Sequence, residues 1–486
     1  MRSYPFIFSG TLVGAAALVH CSSTEMLDPI RDDAAVDAAV DSDRSNDVDA
    51  SGDELADASS DGGSDAAPLS DADVEEPYEI PDGSVTCAVT PCAVGLAASQ
   101  YQGAPTFCAL MSDGSVQCWG GNYASRLGAA AVVGNQSSLP VKVDNLSDVT
   151  SLSLGGKNAC AVRSDGSVWC WGGAALLYAG LGPDAGAGLD PDGGAPSALP
   201  TALGLVPAAS TVGVGDDTAC ITTTAGGLHC WGNNATNQLG QRAPAESAPP
   251  GSVSLGSQAA VAARPAARRT FAITGNGQLW SWGSAGCTDP LTCQYLLGRV
   301  SSEDPDPAPT RAPSLKNVFA IGSGSAHSCA VAGKLVECWG ANTNGQLGIG
   351  TMDTTRTLPV PSTVTTVAHD EDVDAGLAGD DVPLDVAAGA NGTATCAVMV
   401  SGRVYCWGWP TTPSDDRGRP IRVDGFSGPA VAVAVTTVPA ASTACALLRS
   451  GAVECWGTNL SGSLGRGNSN GRLNDPVPAP VVFFQP

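Results

Sequence analysis

Basic residues are scarce in this chain of 486. Lys and Arg number 23 against 48 Asp and Glu, giving a formal net charge of −25. Without a positive face a protein cannot neutralise a phosphate backbone, which sets nucleic-acid binding aside. Histidine is scarcer still, with four in total, and His20 lies in the N-terminal apolar stretch. No glycine run ends in Gly-Lys-Ser/Thr, so there is no phosphate-binding loop of that type. Aromatics make up 5% of the chain, whereas Gly (60) and Pro (34) are plentiful. That balance favours an all-β architecture of short strands. The apolar run from Phe6 to Val19 is too short for a comfortable membrane span.

The charge is unevenly placed. Residues 25 to 82 hold 20 of the 48 acids and only Arg31 and Arg44 as bases. Asp, Ala and Ser dominate there, and Tyr78 is the lone aromatic. Such a segment buries too little apolar surface to offset its ordering entropy, and its like charges extend it. Residues 21–82 read as a disordered acidic tether. Residues 1–20, with Arg2 ahead of a short apolar run, read as a secretory signal.

Seven copies of one unit fill the rest of the chain, and such a repeat governs any fold assignment. Cys108 leads through Ser112-Asp113-Gly114 to Cys118-Trp119-Gly120. The pattern returns from Cys160 to Cys170, from Cys220 to Cys230, and from Cys329 to Cys338. It returns again from Cys396 to Cys406 and from Cys445 to Cys455, and each second cysteine is followed by Trp-Gly. In the fourth copy Phe271 and Ser281 stand in both cysteine places. Alternating residues around turn chemistry predict a β-hairpin with the two cysteines opposed. Gly114, Gly166, Gly226, Gly277, Gly402 and Gly451 then end three-residue loops, where a left-handed backbone is needed. The fifth copy is one residue shorter and fits a two-residue turn at Gly333-Lys334. Opposed positions of an antiparallel pair are close enough for a disulfide, and the joint loss of both partners in copy four supports pairing.

Cys87 and Cys92 form either a small disulfide loop or half of a metal site. No second Cys or His pair lies nearby, so residues 83–92 are assigned as a small disulfide loop. Cys287 and Cys293 make a similar loop within copy four. All 16 cysteines after Cys21 thus pair locally, an economy that points to an oxidising compartment.

Motif tryptophans are 49 to 68 residues apart, so insertions sit in loops between constant hairpins. After Trp-Gly comes a shared element such as Gln238-Leu239-Gly240 or Gln346-Leu347-Gly348, then a Pro-flanked strand such as Leu139-Pro140-Val141-Lys142-Val143. An apolar run, for example Val149 to Leu154, precedes each hairpin. Four strands repeated seven times predict a seven-bladed β-propeller over residues 93–486. Ring closure is expected to make Val94–Ala98 and Pro480–Phe484 share or neighbour one blade.

The unit resembles the regulator of chromosome condensation repeat, and Ser328 through Gly348 is the copy that shows it best. The resemblance covers residues from about 93 to 486 and implies the same propeller. Its cysteine-paired version is similar to that of secreted bacterial members. Leu18-Val19-His20-Cys21 likewise resembles the lipobox of bacterial lipoproteins, although His20 replaces the small residue usual before the cysteine. That resemblance implies that Cys21 is lipidated and becomes the mature N-terminus; ordinary secretion is the alternative.

The motifs give little chemistry. His229 takes a hairpin position held elsewhere by Trp169, Trp280, Tyr405 and Glu337, so a variable, accessible site is the simpler reading. His327 sits in a Gly-rich segment where a local backbone hydrogen bond explains it better than catalysis. His369 opens an acidic insertion in which Asp370, Asp372, Asp374 and Asp381 partly match a calcium loop. Ala375 stands where that loop needs Gly, so a solvated loop is the reading and no metal ligand is assigned. No catalytic or cofactor-binding residue is assigned either. The leading reading is a non-enzymatic, monomeric cell-envelope lipoprotein whose propeller binds another protein through one face. It would touch the membrane only through its lipid. The alternative is a propeller that binds or cleaves polysaccharide, with Trp169, Trp280 and Trp409 in pockets; packing between blades is the simpler account of those rings. The family's founding member is a nuclear nucleotide-exchange factor, and exchange activity by that analogy ranks last because no matching wedge is present.

Overall fold

The computed structural model describes residues 78–483, apart from 133, 174–196, 242–246, 287–294, 353–356, 365–380, 390–391, 409–417, 439–440 and 470–473. Cys21, the signal and most of the tether, Cys287, Cys293, His369, Asp370 to Asp374, Trp409 and Phe484 lie outside those residues.

Seven four-stranded antiparallel sheets follow one another, each with its strands in chain order. Their first and last strands are Ala93–Tyr101 and Gln136–Lys142 in blade 1, Val149–Gly155 and Ser197–Ala202 in blade 2, and Thr211–Val214 and Ser247–Val253 in blade 3. They are Ala260–Pro265 and Asp306–Arg311 in blade 4, Val318–Ser323 and Thr357–Thr363 in blade 5, Pro383–Ala388 and Ile421–Val423 in blade 6, and Ala430–Val438 and Asn474–Pro480 in blade 7. First strands of neighbouring blades touch, so they form the inner ring of a seven-bladed propeller. Small residues make this possible: a Cβ on Gly322 of blade 5 would lie 2.6 Å from the amide nitrogen of Ala388 in blade 6.

The hairpins have the register their sequence calls for. Cys108 opposes Cys118 in blade 1, Cys160 opposes Cys170 in blade 2, and Cys220 opposes Cys230 in blade 3. Phe271 opposes Ser281 in blade 4. Cys329 opposes Cys338 in blade 5, Cys396 opposes Cys406 in blade 6, and Cys445 opposes Cys455 in blade 7. Each of these six cysteine pairs is a disulfide, joining Cα atoms 4.0 to 4.1 Å apart, as suits directly opposed residues. Met111 and Ser115 close the first loop, and Gly114 takes φ +75° at its end. In the shorter turn Gly333 has φ +59° between the paired Ala332 and Leu335. The prolines of the outermost strands also have a place. In blades 1 to 5 and 7 the outermost strand carries one or two extra residues opposite the motif tryptophan. Pro140, Pro200, Pro249 and Pro359 fall within those bulges, where no ladder N–H is required.

Seven apolar clusters fill the seven seams between blades. A second joint crosses five seams. The Trp119 indole N–H donates to Ser463 O at 2.9 Å, Trp171 to Arg126 O at 2.8 Å, and Trp282 to Gln238 O at 2.9 Å. Trp339 donates to Leu296 O at 3.1 Å and Trp407 to Gln346 O at 2.9 Å. Each tryptophan thus docks on the residue before, or the first residue of, the Leu-Gly element of the preceding blade.

Closure differs from a shared blade. Val94–Ala98 lies in the innermost strand of blade 1, and Pro480 ends the outermost strand of blade 7. The two blades each keep four strands of their own and meet face to face, with Phe107 and Met111 packed among Val431, Ala434 and Leu447. Phe483 then lies edge-on to Trp119, with ring centres 5.7 Å apart.

Candidate binding face

A propeller built this way has two unlike ends. One carries the hairpin turns between second and third strands. The other carries the turns between first and second strands together with the connections from third to fourth strands. Those connections run from 12 residues in blade 6 to 24 in blade 2, so the repeat's variation is gathered at this loop end.

The hairpin end is partly covered by the chain itself. Tyr78 stacks on Phe319 of blade 5 at 5.9 Å, and its hydroxyl donates to Gly333 O at 2.8 Å. Gly83 then meets Leu384 of blade 6, and Thr86 bonds to Arg449 O of blade 7.

The loop end gathers polar groups near the axis. Lys157 Nζ lies 3.1 Å from Asp217 Oδ1, and Asn158 Nδ2–H donates to Asp216 O at 2.6 Å. Burial first, and then the neighbouring Asp217, push the Asp216 carboxyl well above the usual carboxylate range. Gln102 and Arg268 are exposed on the inner turns of blades 1 and 4.

Beneath this rim lie two buried guanidinium groups held by neutral oxygens. Arg126 of blade 1 donates to Ala104 O and Ser99 Oγ in its own blade, and to Gly156 O at 2.8 Å in blade 2. Arg269 of blade 4 donates to Gly324 O at 2.6 Å, Ser323 Oγ at 3.0 Å and Ser325 O at 3.2 Å, all in blade 5. Burial lowers each to about 9. These arginines clamp inner turns and are not free to meet a ligand.

His327 differs from its sequence assignment. Its partner is not local: Nε2 lies 2.7 Å from Thr395 Oγ1 in the next blade. Thr395 Oγ1–H donates to Gln346 O at 2.9 Å, so the imidazole supplies the proton to the threonine oxygen. Burial, followed by the charge of Arg269, lowers His327 to about 3. A neutral, enclosed imidazole with its N–H engaged is a packing element.

The other candidate residues are dispersed. His229 is half-buried on the third strand of blade 3, opposite Ile221. Trp169 packs among side chains at the seam of blades 1 and 2, with Arg163 5.5 Å from its ring, and Trp280 packs at the seam of blades 3 and 4. Both are the inter-blade packing that the sequence favoured. Asp381 accepts from the N–H and hydroxyl of Ser401, at 2.9 and 2.5 Å. Among the described residues no group of three or more His, Cys, Asp or Glu side chains could hold a metal ion. Among them, too, no helix is long and apolar enough to cross a membrane. The twelve hairpin cysteines are all held in their disulfides: Cys108 with Cys118, Cys160 with Cys170, Cys220 with Cys230, Cys329 with Cys338, Cys396 with Cys406 and Cys445 with Cys455. They brace single blades and offer no thiol for catalysis.

The pair Arg264 and Asp385 escaped sequence reading. Arg264 opposes Phe271, at an inner-strand position held elsewhere by Ala97, Ser153, Gly213, Gly322, Ala387 and Ala434. One Arg among six small residues was the available signal. Its charge favours ionisation of the buried Asp385 two blades on, whose carboxylate accepts from Val433 N–H at 3.0 Å.

A family model for the regulator of chromosome condensation (RCC1) repeat matches residues 149–173, which comprise the first three strands of blade 2. The chain is an RCC1-repeat propeller. It is 28% identical over 339 residues to the RCC1 domain-containing protein RUG3, mitochondrial, of Arabidopsis thaliana, covering 62% of each chain. It is 27% identical over 248 residues to the ultraviolet-B receptor UVR8 of the same plant, covering 50% of this chain and 52% of that one. It therefore spans less than two thirds of the length of either relative. The crystal structure of Prp20p from Saccharomyces cerevisiae superposes with a TM-score of 0.60 at 18% identity, over 77% of this chain and 87% of that one. That likeness concerns the fold. In RCC1-repeat terms, blade 4 is the variant copy. Phe271 meets the Trp339 ring at 5.8 Å, while Ser281 accepts from Arg299, which also pairs with Asp306 at 2.8 Å.

Proposed function

We propose that this chain is a cell-envelope lipoprotein whose propeller binds another protein through its loop end and performs no chemistry of its own. The observation that carries the binding face is the grouping of all seven variable connections at one end, while residues 78–92 lie across part of the other. Loops placed by a rigid scaffold are where recognition is usually built. Export is supported by the six hairpin disulfides, which suit an oxidising compartment. Anchoring is supported by Leu18-Val19-His20-Cys21 ahead of the acidic tether. The Prp20p structure is described together with its binding to Gsp1p and histones, which supports a protein-binding role for a propeller of this shape.

Two measurements test this reading. Radiolabelled palmitate should enter the wild-type chain in its bacterial host and be lost in Cys21→Ala; equal labelling, or none in either, would remove the lipid anchor. Chemical cross-linking in intact envelopes should yield a partner adduct that disappears with Gln102→Trp or Lys157→Glu and persists with Lys334→Glu on the hairpin end. The reverse pattern would move the interface to the other end, and binding only to purified envelope polysaccharide would replace a protein partner with a glycan.

A further inference from the structure

Blades 1 and 7 share no strand, so their seam relies on side chains and on the segment that leads into blade 1. That segment is bonded to both blades. Thr86 N–H donates to Arg449 O at 2.7 Å, Ala88 N–H to Ser450 O at 3.1 Å, and Ala93 N–H to Gly451 O at 3.0 Å, all along the hairpin turn of blade 7. Cys92 N–H donates to Ser112 Oγ at 3.2 Å, and Ser112 N–H donates back to Cys92 O at 2.8 Å, in the hairpin turn of blade 1. The Cys87–Cys92 disulfide closes the loop between these attachments. It rests on the turn of blade 7, where a Cβ on Gly451 would lie 2.3 Å from Cys92 Sγ.

This bond differs from the other described disulfides in place and in access. The six hairpin bonds each join two strands of one blade, and their cysteines are at most 1% exposed. Cys92 is 7% exposed and Cys87 is half-buried. Thiol–disulfide exchange needs an incoming thiolate to reach a sulfur, so access ranks the bonds.

We infer that Cys87–Cys92 is a thiol–disulfide exchange site for a dithiol, small or protein-borne, and that its reduction unclasps blade 7 from blade 1. A thiolate of the dithiol attacks Cys87 Sγ, the Cys87–Cys92 bond breaks, and Cys92 leaves as a thiolate that takes up a proton. The second thiolate of the dithiol attacks the mixed disulfide and releases Cys87, which is protonated in turn. This chain gains two electrons and two protons, and the dithiol becomes a disulfide. The six hairpin bonds stay closed within their blades, so only the seam loosens.

The test treats the full native chain with dithiothreitol, alkylates the free thiols over time, and maps them by mass. Cys87 and Cys92 should be alkylated before any of the twelve hairpin cysteines. Cys287 and Cys293 give their own peptides and stay out of the comparison. Hydrogen exchange at the Thr86, Ala88, Ala93 and Ser112 amides should then rise roughly tenfold or more, the scale expected for losing a short-loop disulfide. The Leu347 amide, bonded to Asn342 Oδ1 far from the seam, should not change. Hairpin cysteines alkylated as fast as Cys87, or seam amides that stay protected after its reduction, would overturn the proposal. The double variant Cys87→Ser, Cys92→Ser should show the same raised exchange without reductant. If that variant fails to fold, the wild-type reduction still decides.

Discussion

A Cβ added to Gly348 would lie 2.7 Å from the indole nitrogen of Trp407, although the two residues belong to neighbouring blades. Gly348 also has φ +67°, a left-handed backbone that an L side chain adopts only at a cost. The Leu-Gly of one repeat and the Trp-Gly of the next are therefore two halves of one joint. The sequence repeat is offset from the mechanical unit: each blade carries a tryptophan that faces backward and a Leu-Gly seat that receives the following one.

Gly348→Ala separates the two demands on that residue. Gly103 supplies the control, because its φ is +75° but nothing lies within 4 Å of its would-be Cβ. Gly103→Ala should cost only the backbone strain, about 1 kcal/mol. Gly348→Ala should cost more than that, by about 1–3 kcal/mol for displacing a packed indole. Urea midpoints of the two variants measure the difference, and equal losses would remove the close-approach account.

The donor side of the joint is tested by Trp171→Phe. The ring is fully buried and its N–H reaches Arg126 O at 2.8 Å. Phe keeps much of the apolar contact but leaves that carbonyl without this donor. The expected loss is about 1–3 kcal/mol, the penalty for an unmet buried polar group. Amide exchange should rise first at the seam of blades 1 and 2; a uniform rise over all blades would argue against a local joint.

Much of this architecture was legible because local chemistry and global fold agree. Gly114 and Gly333 announce two loop lengths, and the opposed cysteines set the register whichever loop is used. Cys160 with Cys170 and Cys220 with Cys230 span the longer loop, as do Cys396 with Cys406 and Cys445 with Cys455, and all four pairs stand opposed as their spacing requires. Prolines such as Pro140 mark the outermost strand because a bulge there needs no N–H donor. Contacts that span repeats were not legible. Nothing in a single copy says that Trp171 bonds to a residue in the preceding blade, or that His327 reaches Thr395 in the next one. Arg126 and Arg269 were hidden for the same reason, since the oxygens around them come largely from other turns. The ring's closure lay beyond reach too: Val94 and Pro480 belong to different blades, and the segment holding Thr86 and Cys92 fastens the seam.

Asp385 gives the protein a pH dependence of unusual sign. Burial raises its carboxyl to about 6, although the Val433 and Val386 N–H groups and Arg264 favour the ionised form. The folded state thus holds this proton more tightly than the unfolded chain does. Stability from this group is complete below about pH 4 and declines as pH rises to 6, by at most about 3 kcal/mol. Asp82, Asp113 and Asp165 have lowered values and act in the opposite direction, so the variant comparison is the readout. Asp385→Asn should gain stability relative to wild type as pH rises from 4.5 to 7, followed by urea midpoints. A wild-type minus variant difference that is flat over this interval would show that Asp385 does not titrate there.

Blade 4 offers the sharpest test of why one copy lost its disulfide. Phe271 and Ser281 sit in the same opposed register as the cysteine pairs, so Phe271→Cys with Ser281→Cys should form a bond that mass mapping detects. A loop of that length would ordinarily contribute about 2–3 kcal/mol. Here the exchange also removes a buried ring in contact with Trp339, which costs about 3 kcal/mol or more. It further takes away the Ser281 hydroxyl that accepts from Arg299 Nε at 3.0 Å, within a buried ion pair to Asp306. The double variant should therefore be no more stable than wild type when oxidised, and clearly less stable when that bond alone is reduced. An oxidised variant more stable than wild type by the full disulfide increment would show that the ring and the Arg299 network contribute nothing.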